Sequence, residues 1–369
     1  MFRLRHLLWL VVGLLLAGAL IACSDLDYYL HTAGGHLQVM AERKPIPDLL
    51  TDQTTPADLR KKLKEIAWIR HFASDRLNLP DNGSYQSYVE LDRPYVLWNV
   101  VATPEFSLDA LEWCFPFAGC VQYRGYFNLE KAGQFAAALQ DEGYDTIVSG
   151  VPAYSTLSWF DDPALSTFSN WPTTSIARLL FHELAHQKLY VQDDSAFNES
   201  FATAVELAGV ELWLERFGSE KDKMEHKRQL KREDQFVKLI AGTRDKLSTL
   251  YSGTLSVAEK REAKSEVFAE LRRSYDRVKM SWDGYSGYDR WFRELNNAKF
   301  ASLNTYHRWV PAFKRVMAQE NNSFTAFFSR CQQIAQLPQA RRSELLERLG
   351  HEQKNEVSAS QTAARKRNS

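Results

Sequence analysis

The chain has 369 residues, and its 46 Lys and Arg cancel its 46 Asp and Glu, so no global field draws it to nucleic acid or to anionic lipid. A hydrophobic share of 44%, with 12% aromatic and 25% charged residues, is that of a globular enzyme able to bury a core. One large domain or two lobes around a cleft would fit the length, and the expected partner is a small or neutral substrate rather than nucleic acid.

At the N-terminus Arg3, Arg5 and His6 make a positive start, Leu7 to Leu20 are nearly all apolar, and Leu20-Ile21-Ala22-Cys23 follows at once. This reads as a secretory signal with a lipobox, because the apolar run is short for a membrane span and small residues before a cysteine suit cleavage and lipid attachment. Residues 1–22 are expected to be removed and Cys23 to carry acyl chains that hold the protein on a bilayer. An uncleaved N-terminal anchor is the alternative. Ser24 after the cysteine favours the periplasmic face of the outer membrane if the host has two membranes.

Helical periodicity covers Tyr28 to Glu42 and Pro56 to Leu77, the latter with Thr54 or Thr55 as cap. Alternation between Tyr85 and Val101 predicts strands, and Val121 to Tyr126 supplies another. Cys114 and Cys120 flank a short turn-forming loop; in an oxidising compartment they form a small-loop disulfide, or else remain two buried thiols. Leu129 to Glu142 reads as a helix ending at Gly143, and Tyr144 to Val148 returns to strand. Tyr154 to Trp159 reads as a strand beside the active site, able to pair with an extended peptide, or as core.

The run Phe181-His182-Glu183-Leu184-Ala185-His186-Gln187 carries the chemistry. Histidines at i and i+4 project from one helix face and can reach one metal ion, with the glutamate beside them. That is the zinc hydrolase arrangement, in which the metal lowers the pKa of a water and Glu183 takes the proton as general base. The flanks from Ile176 to Leu189 are strongly apolar, with Thr173 and Thr174 as N-cap candidates. A His-Glu-His triplet inside such a helix is costly unless a metal satisfies it.

A third ligand is expected from the next helix, Phe197 to Leu207. Glu199, in its first turn where the dipole favours a carboxylate, ranks first, then Glu206, then Asp193 or Asp194. Glu206 better suits a carboxylate that orients a ligating histidine. From Glu211 to Lys279 mixed charges at helical spacing describe solvated helices. A donor that shares the charge of a tetrahedral oxyanion is sought at Tyr306, then His307, with Tyr154 a more remote candidate; packing of Tyr306 and Trp309 against the core is the competing reading. Residues 351–369 lack apolar content and are expected to be disordered.

His-Glu-x-x-His on one helix with Asn198-Glu199 opening the next resembles the glutamate-zincins. More closely, the chain resembles a family of predicted bacterial zinc aminopeptidases, many described as lipoproteins. The likeness extends to Cys114-Phe115-Pro116, Tyr123-Arg124-Gly125-Tyr126-Phe127, Gly150-Val151-Pro152-Ala153-Tyr154, Asn296-Asn297-Ala298 and Tyr306-His307-Arg308-Trp309-Val310-Pro311. It implies one zinc per chain on His182, His186 and Glu199, with Glu183 as base. The interval from His186 to Glu199 is shorter than in thermolysin-like enzymes, so their other catalytic residues do not carry over.

The expected fold is α+β and mainly helical, a zincin-like metallopeptidase domain over residues 23–350 with a small sheet preceding the metal-binding helix. The expected function is a lipid-anchored zinc metallopeptidase, an aminopeptidase acting on peptides in the cell envelope. A non-catalytic metal-binding envelope lipoprotein and a zinc hydrolase of a non-peptide amide are the alternatives.

Overall fold

The computed structural model describes residues 26–115 and 119–352, the side chains of 304–307 excepted. The expected signal segment, Cys23 and residues 353–369 of the expected tail lie outside the described residues. Residues 351–352, placed in that tail by composition, still belong to a helix.

Helix α1 spans residues 26–41 and leads through β1 (Lys44–Pro45) and α2 (Ile46–Thr51) to the long α3 (Ala57–Leu77). The first small sheet sets β2 (Ser87–Val89) antiparallel to β1 and parallel to β8 (Ala164–Leu165). The second has β3 (Leu97–Pro104) at its centre, antiparallel to both β6 (Arg124–Tyr126) and β7 (Tyr144–Val151), with Asn99 opposite Gly125 on one side and Ser149 on the other. Helix α4 (Leu129–Asp141) covers this sheet, laying Ala132, Ala136 and Leu139 on Trp98, Val100 and Ala102. Asn128 caps α4 by accepting from Lys131 N, and Gly143 leaves it with a left-handed φ of 90°. A separate hairpin, β4 (Trp113–Phe115) with β5 (Gly119–Val121), is closed by a disulfide between Cys114 and Cys120.

After α5 (Ser166–Ser169) comes α6 (Thr173–Lys188), which carries the His-Glu-x-x-His run, and then α7 (Ser195–Phe217). Ile176, Leu180, Phe181 and Leu184 of α6 are fully buried in a core shared with α3, α7, α12 (Val310–Gln319), α13 (Phe324–Ala335) and α14 (339–352). Gly209 lets α7 come close: a Cβ there would lie 2.7 Å from Leu77 and 2.8 Å from Phe181. Helices α8 (Glu220–Ser252) and α9 (Val257–Lys279) form a hairpin, each opened by a serine capping box, Ser219 with Asp222 and Ser256 with Glu259. With α10 (Asp289–Arg293) and α11 (Asn297–His307) they bury a second core around Phe268, Leu271 and Phe300.

The arrangement is mainly helical with small sheets ahead of α6, in agreement with the α+β expectation. Three local readings need correction. The threonines expected to cap α3 and α6 do not: Pro56 and Pro172 occupy those positions, Thr54 turns back to Asp52, and Thr173 Oγ1 donates to Glu65. The Thr54 and Thr173 hydroxyls donate instead to the carboxylates of Asp52 and Glu65. Tyr154 to Trp159 is a loop, not a strand, because Leu157 and Ser158 adopt left-handed φ values of 54° and 68° and Thr156 N and Oγ1 both donate to Asp162. Glu199 lies in the second turn of α7, which begins at Ser195, so the helix dipole contributes less there than a first-turn place would give.

Candidate metal centre

Helix α6 points His182 and His186 from one face, and the polar connection from Leu189 to Asp194 turns the chain so that α7 runs back against it. Asn198 fixes that turn, accepting from Val191 N at 2.8 Å and donating to Val191 O at 2.7 Å. The next residue, Glu199, is thereby brought to the histidines. His182 Nε2 lies 3.2 Å from His186 Nε2 and 3.2 Å from Glu199 Oε2, while His186 Nε2 is 3.7 Å from Glu199 Oε1. Among the described residues, these three form a group whose donor atoms all fall within 4.8 Å of one another.

One proton on His182 Nε2 cannot serve both His186 Nε2 and the buried Glu199 carboxylate, so one acceptor of the cluster is left without a donor. A tetrahedral zinc with Zn–N of about 2.05 Å would hold two nitrogens about 3.3 Å apart, close to the separation seen. The donor set of two imidazoles and one carboxylate therefore fits a divalent ion with one position left for solvent. Burial pushes His186 down to about 4, leaving its lone pair free. His182 is buried too, but the carboxylates of Glu199 and Glu206 outweigh that and hold its pKa well above the usual value.

Glu206, seven residues on from Glu199, accepts from His182 Nδ1 at 3.1 Å on one oxygen and from Arg178 Nε at 2.5 Å on the other. It is not one of the three residues of the donor cluster; its contact is with the far nitrogen of His182. Arg178 also lies 3.3 Å from Glu233 of α8. The other ranked acids are committed elsewhere. Asp193 accepts from Cys120 N at 2.6 Å, tying the disulfide hairpin to the α6–α7 turn, and Asp194 caps α7 while receiving Arg342 Nε at 2.8 Å.

Glu183 carries no hydrogen bond among the described residues and lines the cleft beside the triad. Burial raises its carboxyl to about 7; His182 opposes the shift, while Glu199, Asp162 and Glu206 add to it. The cleft, about 1230 Å³ in volume, is walled mainly by apolar and aromatic side chains. Its 154–162 wall is anchored to the end of α6, because Gln187 Nε2 donates to both Asp162 and Ser84 and its Oε1 accepts from Asn82.

The side chains of Tyr306 and His307 lie outside the described residues, although α11 does bring Ser302 and Leu303 to the cleft. Tyr154 lines the cleft, with its hydroxyl 2.7 Å from His36 Nδ1. Two tyrosines given no role at the site from sequence, Tyr123 and Tyr190, also line it. Tyr123 is 38% exposed as a residue, but crowding around its hydroxyl, with the charges of Glu199, Tyr190 and Glu183, raises it above the ordinary tyrosine value, and burial with Glu199 does the same for Tyr190. Arg178 was also missed, although its place one turn before His182 on the same face was a local signal.

Residues 27–346 match the family described as "Putative aminopeptidase". The chain belongs to this family. The match takes in every element that builds the site, from α1 to α14. No curated protein and no solved structure matches the aminopeptidase-family chain.

Proposed function

We propose that this protein is a zinc-dependent aminopeptidase of zincin-like fold, held on the envelope membrane by acyl chains on Cys23 and acting on peptides at the periplasmic face of the outer membrane where the host has two. The reading is carried by the convergence of His182 Nε2, His186 Nε2 and a Glu199 oxygen within 4.8 Å, with Glu183 free of other bonds beside them. Membership of the aminopeptidase family supports the peptide substrate. The anchor rests on the N-terminal sequence alone; among the described residues no helix is long and apolar enough to cross a membrane.

His182, His186 and Glu199 would hold the ion, and a zinc bound there supplies Lewis acidity and brings a water's pKa towards neutrality. Glu183, with its carboxyl raised to about 7 by burial, is poised to accept a proton from the attacking water and return it to the leaving amine. Glu206 fixes the tautomer and aim of His182 through Nδ1. Tyr123 keeps its proton at neutral pH and serves as donor to the oxyanion on the scissile carbon. Arg178, Glu206 and Glu233 together keep one net negative charge at the cleft wall, which suits the free ammonium of a peptide N-terminus.

The test is hydrolysis of aminoacyl-amides with and without chelator by wild type and Glu183→Gln. Cleavage by wild type that stops with chelator, and loss of most turnover in Glu183→Gln with metal content unchanged, is expected. A Glu183→Gln enzyme as fast as wild type would remove the mechanism. Glu233→Gln should raise KM for free-amine substrates and leave kcat near the wild-type value.

A further inference from the structure

Helix α1 has two unlike faces. The inner one is firmly seated. Tyr28 packs its ring 3.9 Å under the Arg124 guanidinium, Val39 is buried, and His36 bonds to Tyr154. Gly35 comes so near the sheet that a Cβ there would lie 2.5 Å from Phe127. The helix therefore cannot roll to hide its other side. That outer side reads Leu26, Leu30, Ala33, Leu37 and Ala41, all exposed and spaced by three or four residues, which is one stripe on a helix. Leu26, Leu30 and Leu37 are 57%, 65% and 59% exposed.

Two exposed aromatics from a distant part of the chain flank α1 on its His36 side. Trp159 and Phe160 are 65% and 46% exposed, and the Phe160 ring lies 4.6 Å from that of His36. Tyr29, His36, Trp159 and Phe160 also line the cleft, so α1 and the two aromatics border it. An outward row of leucines with Trp and Phe at its edge is costly in water and is the composition of a helix lying in a lipid interface.

We propose that the outer face of α1, with Trp159 and Phe160, docks on a lipid bilayer and lays the cleft mouth against it, so that substrates are amphiphilic peptides presented from the membrane surface. This rests on the proposed aminopeptidase for the substrate and on the proposed acylation of Cys23 for the geometry. Only Ser24 and Asp25 separate Cys23 from Leu26, a reach of about 10 Å fully extended. Acyl chains on Cys23 would thus hold the start of α1 at the headgroups, with its leucine row beside them. The bilayer is favoured over a second copy of the chain because the row begins where the anchor ends.

The packing described above is made by residues from 26 onward, so a chain beginning at Ser24 keeps this fold and lacks lipid. Its flotation with vesicles of phosphatidylethanolamine and phosphatidylglycerol is the test, alongside Leu30→Glu/Leu37→Glu and Trp159→Ala, each checked for folding by thermal melting. The unlipidated chain is expected to float, and the leucine double variant to lose about ten-fold or more in vesicle partitioning. Trp159→Ala should bind more weakly as well. Soluble aminoacyl-amides should be cleaved equally by wild type and the double variant, while cleavage of an acyl-tailed peptide embedded in the vesicles should fall. A wild-type chain that stays soluble, or a double variant that floats equally, overturns the proposal. So does a dimer in light scattering that the double variant abolishes without any vesicle binding, since the face would then belong to a second copy. Absence of hydrolysis would strike the peptidase reading and leave the flotation result intact.

Discussion

Glu206→Gln isolates the orienting role of one carboxylate. Glu206 is buried and its two oxygens serve different partners, His182 Nδ1 at 3.1 Å and Arg178 Nε at 2.5 Å. A glutamine of the same shape has one acceptor oxygen and turns an NH₂ towards the other partner, so either His182 or Arg178 must lose its bond. If His182 loses it, the ring's aim and basicity fall together, and zinc affinity should drop about 10- to 100-fold, or about 1.4–2.8 kcal/mol. Arg178 keeps Glu233 at 3.3 Å, so the metal-free protein should lose about 1–3 kcal/mol rather than the larger cost of a wholly unpaired buried charge. Competition against a chromogenic chelator reads the first quantity, and melting in excess chelator reads the second. Zinc affinity within two-fold of wild type in both Glu206→Gln and Glu206→Ala, the latter leaving neither partner an acceptor, would show that Glu206 does not orient the histidine.

Burial lifts the Asp162 carboxyl to about 6 against the donors from Thr156 and Gln187, so the fold holds its proton more tightly than the unfolded chain does. This contribution to stability is complete below about pH 4 and lost as pH rises through about 6, a change of about 3 kcal/mol at most. Stability of wild type relative to Asp162→Asn should therefore decline across that interval; a flat difference would contradict the account. Cys114→Ser/Cys120→Ser opens a loop of sequence separation 6, worth about 2 kcal/mol by chain entropy. It should slow turnover more than it changes metal content, because the hairpin leads into Tyr123; unchanged kcat would detach Tyr123 from the reaction. Gly209→Ala adds a Cβ 2.7 Å from Leu77, and crowding of about 1–3 kcal/mol should outweigh a helix-propensity gain of about 1 kcal/mol. A raised melting temperature would refute that balance.

The parts of the site that were legible in sequence are the local ones. His182 and His186 declare themselves by spacing on one helix, and Glu199 follows because the next helix opens only a short connection later. Glu206 was legible by the same helical period. Tyr123 was not: it reaches the cleft through a disulfide hairpin clamped by Asp193, a contact 73 residues apart in the chain. Arg178 gave no signal of its partners, because Glu206 and Glu233 lie 28 and 55 residues further along the chain. The segment from Tyr154 to Trp159 misled because its β-prone residues promise a strand, while Asp162 gathers donors from Thr156 and Gln187 and bends the chain into a loop. In α1 the periodicity gave the helix correctly, but two apolar rows cannot both face inward, and sequence alone does not say which one is left outside.

The central claim is that His182, His186 and Glu199 hold one zinc ion. Anomalous diffraction above and below the zinc edge, from crystals grown with equimolar zinc, tests it most directly. A single peak between His182 Nε2, His186 Nε2 and a Glu199 carboxylate oxygen, about 2.0–2.2 Å from each, is the expected result. A map with no peak there, or with zinc bound only elsewhere while the three side chains keep their metal-free contacts, would contradict it.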